Sequence, residues 1–163
     1  MNNTMNNVYT PIDICNLALK KLGEPSITAI DPNGTPAQRL CYEHYHTCRW
    51  EVLCANNWRF ARKTQERAFE TKIDSETYGY TLPDDCLRVL EPSEGVTIRN
   101  RVLYCSEPEI TLIYTADEED VTKFEPIFTQ ALATRLAAKI CMLLTHSIMM
   151  AGRLTNEYNK MNF

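Results

Sequence analysis

The stretch from Ile127 to Leu144 constrains this chain more than any other. Almost every residue in it is apolar or small, and its only charges, Arg135 and Lys139, stand one helical turn apart. A helix of that composition cannot present most of its surface to water, so it is predicted to lie at the centre of a packed unit, with Arg135 and Lys139 marking its single wet stripe. Ala131, Ala133, Ala137 and Ala138 would let neighbouring helices approach closely. Pro126 marks the first turn, and the acidic run from Asp117 to Asp120 precedes the helix, where the amide ends favour negative charge. No apolar run approaches the roughly 20 residues that a membrane span needs, so no membrane is expected as a partner.

The partners of that helix are readable at both ends of the chain. Thr10-Pro11-Ile12-Asp13 has the spacing of a capping box with proline at the first helical position. Ile14, Leu17, Ala18 and Leu22 then repeat at helical spacing, Lys20 and Lys21 suit the last turn, and Gly23 with Pro25 ends it. Thr35-Pro36 repeats the same opening, and a second helix is predicted to about Asn57, with Ala37, Cys41, His44, Cys48, Val52 and Ala55 on one face. Arg39, Glu43, His46 and Glu51 fall largely away from that stripe. After the central helix, Thr145 or Ser147 is placed to cap a fourth, carrying Ile148, Ala151, Leu154, Tyr158 and Met161.

Between the helix pairs the period changes. Trp58, Phe60 and Arg62 alternate as in a strand or extended exit, whereas residues 63–77 are polar and poorly periodic. Tyr78–Pro83, Cys86–Leu90, Val96–Ile98, Val102–Tyr104 and Ile110–Tyr114 read as short extended runs, with a turn at Asp84-Asp85 and a hairpin tip at Asn100-Arg101. The expected fold is α+β: a four-helix core from the N- and C-terminal helix pairs (about 11–57 and 123–161), with an antiparallel β lobe (about 58–116) inserted between them in one domain of 163 residues. The opening Met1–Asn7 has neither a basic nor an apolar segment, so no secretory signal is expected. A net charge of −4 argues against a general nucleic-acid binder held by a basic face.

Residues able to carry chemistry are scattered. Cys41, His44 and Cys48 share a helix face and are potential zinc ligands, yet they coincide with the apolar stripe, and one helix rarely supplies three ligands. Seven cysteines without a C-x-x-C pair read as small apolar filler. A cysteine–histidine pair would need thiols and the histidines at 44, 46 and 146 to meet, and nothing local marks an activated thiol. The acidic pairs lack the alternating ligands and turn glycine of a calcium loop. Trp58 to Lys72 interleaves basic residues with aromatics, and Arg99 and Arg101 form a second basic spot; both are possible phosphate contacts. No catalytic residue, cofactor or metal ligand is assigned. A small metal- or cysteine-dependent hydrolase and a DNA-contacting regulatory domain are the alternatives to a structural protein.

One ordered set of motifs points to the structural protein. It begins with Ile14–Glu24, Ala37–Cys41, Tyr45, Arg49, Leu53 and Asn57–Ala61, continues through Tyr80–Val89, and ends with Ala131–Ile140 and Leu144-Thr145. The set resembles the head-to-tail adaptors of tailed bacteriophages, the tail tubular protein A group of short-tailed phages, over about residues 12–160. The resemblance implies a non-enzymatic virion protein at the portal vertex, made in the host cytoplasm. Usually twelve copies form a ring beneath the portal, extending the DNA channel and docking the tail tube, nozzle or hub protein. Genomic DNA would pass through without sequence-specific binding. Expected subunit or portal contacts are Arg135, Lys139, Met149, Met150, Leu154, Tyr158 and Phe163; expected tail- or DNA-facing basic residues are Arg59, Arg62, Lys63, Arg99 and Arg101. Relatives often carry a further C-terminal arm onto the portal. Since this sequence stops at Phe163, portal docking is expected to use the last helix or the asparagine-rich start.

Overall fold

A computed structural model describes residues 10–161. Among these the chain is mixed α+β, with four helices and two antiparallel sheets of three and four strands. The described residues divide into a helical unit (10–56 and 119–161) and a β unit (57–118).

The helical unit contains α1 (Pro11–Leu22), α2 (Pro36–Ala55), α3 (Pro126–Thr145) and α4 (Ile148–Asn159). Both N-terminal helices begin at the predicted threonine cap, and each cap is a full capping box, expected from the spacing at Thr10 and found as well at Thr35. In α1 the Asp13 amide donates to Thr10 Oγ1 at 3.3 Å and the Thr10 amide to Asp13 Oδ2 at 2.9 Å. In α2 the Thr35 amide donates to Gln38 Oε1 at 2.8 Å. Gly23 ends α1 with φ 73°, a left-handed conformation glycine adopts without a Cβ clash, and the Glu24 amide donates back to the Leu19 carbonyl at 3.0 Å. Ser147, one of the two residues proposed as caps, starts α4: its Oγ accepts from the Met150 amide at 3.2 Å. His146 ends α3 with φ 55°.

Helix α3 is the centre of this unit, packed against α1, α2 and α4. Ala131, Leu132, Ala133, Leu136, Ala137 and Ile140 are fully buried, and Ile14, Ala18, Leu19, Cys41, Cys48, Val52 and Leu53 on α1 and α2 are equally so. One expectation needs correcting. At 20 residues, with a mean hydropathy of 1.4 in its most apolar window, α3 is long and apolar enough to cross a membrane by length and composition. The sequence estimate counted only 127–144, whereas the helix adds Pro126 and Thr145 and so reaches 20 residues. In the fold, 56% of that window is buried inside the chain itself. Asn16 closes the α1–α2 connection, donating from Nδ2 to the Ile27 carbonyl at 3.0 Å and accepting from the Ile27 amide at 2.8 Å.

In the β unit, β1 (Arg62–Ala68) and β4 (Cys86–Glu91) flank β7 (Glu109–Ala116) in the three-stranded sheet. The second sheet runs β2 (Thr71–Lys72), β3 (Tyr78–Thr81), β6 (Val102–Cys105) and β5 (Thr97–Arg99). Tyr80, Leu82, Leu103, Ile110, Leu112 and Tyr114 form the heart of its core. Asn100 and Arg101 sit at φ 48° and 61°, as the predicted hairpin tip between β5 and β6 requires.

Two sequence expectations fail here. The strand or extended exit anticipated at Trp58–Arg62 is a 3-10 turn over Arg59–Ala61, and the polar, poorly periodic stretch holds β1 and β2. β1 is an edge strand whose residues are exposed or half-buried, so charge protects it and leaves no hydrophobic alternation to see. Its strand character comes from pairing with β7, Arg62 opposite Thr115 through to Ala68 opposite Glu109.

Candidate functional site

The two charges of α3 do not stand alone. Arg135 Nε donates to Glu51 Oε2 at 2.5 Å and Lys139 Nζ to Glu51 Oε1 at 3.1 Å, tying α3 to α2. The Arg135 guanidinium also lies over the Tyr158 ring, 5.4 Å from its centroid, which brings in α4. Partial burial raises the proton affinity of Glu51, but the hydrogen bonds and charges of Arg135 and Lys139 outweigh it and hold the carboxyl below its usual range. Burial, followed by the Glu51 charge, pushes the Cys48 thiol up to about 12, so it is a protonated core group rather than a nucleophile. Arg49 is fully buried on the core side of α2, with Nη2 donating to Glu119 Oε1 at 3.1 Å and its guanidinium 6.0 Å from the Tyr45 ring centroid.

The expected interface residues separate into several environments. Arg135, Lys139 and Tyr158 form the cluster on Glu51. Leu154 is 1% exposed and belongs to the core, Met150 is half-buried, and Phe163 lies outside the described residues. Met149 is 87% exposed, with Ile148 at 76% beside it. Leu143 and Met142, at the end of α3, extend this apolar corner around the turn into α4.

A second outward apolar surface was not anticipated from the sequence. Tyr42 and Trp50 on α2 are 51% and 44% exposed. They stand at i and i+8 with the exposed His46 between them, along one ridge of the helix away from its core stripe. The signal was present: two large aromatics occupy positions outside the core periodicity. Large apolar side chains are thus exposed at two places on the helical unit, the outer ridge of α2 and the end of α3 with the start of α4.

In the β unit, Arg59, Arg62 and Arg99 are exposed. Lys63 Nζ donates to Asp85 Oδ2 at 2.5 Å, and Arg101 Nη2 to the Pro83 carbonyl at 2.5 Å. Asp85 also accepts from the Tyr114 hydroxyl at 3.1 Å. Burial opposes ionisation of Asp85, yet the Lys63 and Tyr114 hydrogen bonds prevail and lower its pKa. Burial and the bond to Asp85 push Tyr114 up to about 12. Lys63 and Arg101 are thus committed to the unit's own structure. Arg99 lines a shallow groove of about 350 Å³ with Ile73, Thr97 and Tyr104 on the second sheet.

The Cys41, His44, Cys48 set is not gathered as ligands. Both thiols are fully buried, and among the described residues no group of three or more His, Cys, Asp or Glu side chains could hold a metal ion. No family model matches this chain, and no curated protein matches it.

Proposed function

We propose that this chain is a structural subunit, a head-to-tail adaptor that forms a ring below a phage portal, extends the DNA channel and docks the tail. The observation that carries the reading is the pair of outward apolar surfaces on the helical unit, the α2 ridge and the α3–α4 corner, which one copy leaves in water. A ring needs two different faces on each subunit, and two such faces are present on different helices. The ordered resemblance in the sequence supplies the kind of assembly. Repetition around a ring lets modest contacts hold strongly, since a subunit cannot leave without breaking several of them. The net charge of −4 suits a conduit that DNA must slide through, because an acidic chain releases few counterions on meeting phosphate. In this reading the portal, the next tail component and further copies of the chain are its partners.

The test is to mix the purified protein with its portal and image the product by electron microscopy. A coaxial ring of adaptor density below the portal is expected, and folded portal that stays bare in excess adaptor rules the reading out.

A further inference from the structure

The outward surface at the start of α4 contains an oddity that packing within one copy does not explain. Gly152 lies in the interior of α4, where glycine is less favourable than alanine because it loses more backbone freedom on folding. A Cβ placed there would meet no described atom within 4 Å, so no neighbour in the same copy demands the glycine. The missing side chain leaves a notch in a shallow groove along α4, between Ile148 and Met149 on one side and Asn156 on the other. Lys160 lies further along the same groove. A gap in a helix surface receives a ridge from another helix.

The matching ridge is on the same chain. Trp50 projects from the outer surface of α2, and both α2 and α4 turn their buried faces to α3. Trp50 and the notch therefore remain apart, both exposed, within one copy. We propose that Trp50 of one copy seats in the Gly152 notch of the next, with α2 and α4 antiparallel, as the repeating contact of the ring; this rests on the ring reading above.

Charge favours one direction: Arg153 and Glu157 also line the groove, and Glu157 is already paired with Lys21, which leaves a basic edge to it. Glu43 is seven residues before Trp50, and Lys160 is eight after Gly152, so at 1.5 Å per residue they lie roughly 10 and 12 Å from the seat. Only an antiparallel crossing brings that acid and base together; a parallel one sets Glu43 against the α3–α4 turn. Glu43 and Lys160 are both exposed, on the outer sides of their helices. The contact is heterologous, using one face of each kind per copy, and so propagates rather than stopping at a dimer. Large aromatics seated in a pocket are the usual energetic centres of such contacts.

Trp50→Arg and Gly152→Arg each remove one face, at exposed positions where circular dichroism can confirm the fold. In sedimentation velocity, each variant alone is expected to lose association at least about tenfold relative to wild type. Their mixture is expected to stop at a one-to-one dimer, because the intact α2 face of one meets the intact α4 face of the other. Glu43→Lys and Lys160→Glu are each expected to weaken association, and the double variant to recover it. If wild type assembles and the two arginine variants assemble equally well, this contact is wrong while the ring survives. A dimer-free mixture together with no recovery in the charge-swapped double variant also overturns it. Wild type that associates neither alone nor on the portal overturns the ring and this contact together.

Discussion

In the helical unit Leu132, Leu136 and Ile140 are fully buried among alanines, and the polar ties between helices, the Glu51 cluster and the Lys21–Glu157 pair from α1 to α4, sit on their rim. In the β unit Leu112 and Leu103 are buried as completely, but polar anchors surround the core: Lys63 and Tyr114 on Asp85, Gln65 Nε2 on Tyr114 at 3.3 Å, and Arg101 on the Pro83 carbonyl. The contrast shows where each unit obtains its definition. Close-packed helices specify one arrangement through shape, since small residues on α3 fix how near its neighbours come. Two small sheets with exposed edge strands have less apolar surface to specify their arrangement, and hydrogen-bonded side chains hold their turns in place.

The largest expected effect tests the claim about shape. Leu136→Ala should cost about 2–5 kcal/mol, because the surrounding alanines have no side-chain length with which to fill the cavity. Chemical denaturation measures the loss, and hydrogen exchange should place the added opening in the amides of α1 to α4. A loss below about 1 kcal/mol would mean that α3 does not organise its unit.

Asp85→Ala tests the other half of the contrast. It removes the acceptor of Lys63 and leaves the Tyr114 hydroxyl without its acid partner, at an expected cost of about 1–2 kcal/mol. The lost protection should fall in β1, β4 and β7. An unchanged denaturation midpoint would show that the anchors in the β unit are incidental.

Glu51→Gln has the smallest effect, about 1 kcal/mol or less, since the charges it meets are partly solvated. Its pH dependence is informative. The folded-state pKa of Glu51 lies below the ordinary value, so its contribution is full above about pH 4.3 and is lost as pH falls through the lower, folded value. The wild-type advantage over Glu51→Gln should therefore shrink in acid. A difference that stays constant from neutral pH down through that range would assign the effect to packing instead of charge.

How much of this was legible in the sequence follows the same division. The capping box at Thr10, the cap-and-proline start at Thr35, the glycine stop at Gly23 and the central role of α3 were read correctly, since helix signals lie within a few residues of one another. The hairpin tip at Asn100-Arg101 was also local. β1 was not, because its polar residues become a strand only when β7, more than 40 positions later, pairs with them. Among the surface candidates, Met149 was anticipated, whereas Leu154 proved to be core and Tyr42 and Trp50 were passed over.

The sequence by itself determined the helices, their starts and stops, and which helix must be innermost, because backbone capping and a 3.6-residue apolar period are properties of neighbouring residues. Only the tertiary structure decided that Arg135 and Lys139 are spent on Glu51, that Trp50 and Gly152 face outward, and that the strands divide between two sheets. Those outcomes depend on which distant residues meet, and burial and ion pairing acquire their energies only once the chain has brought them together.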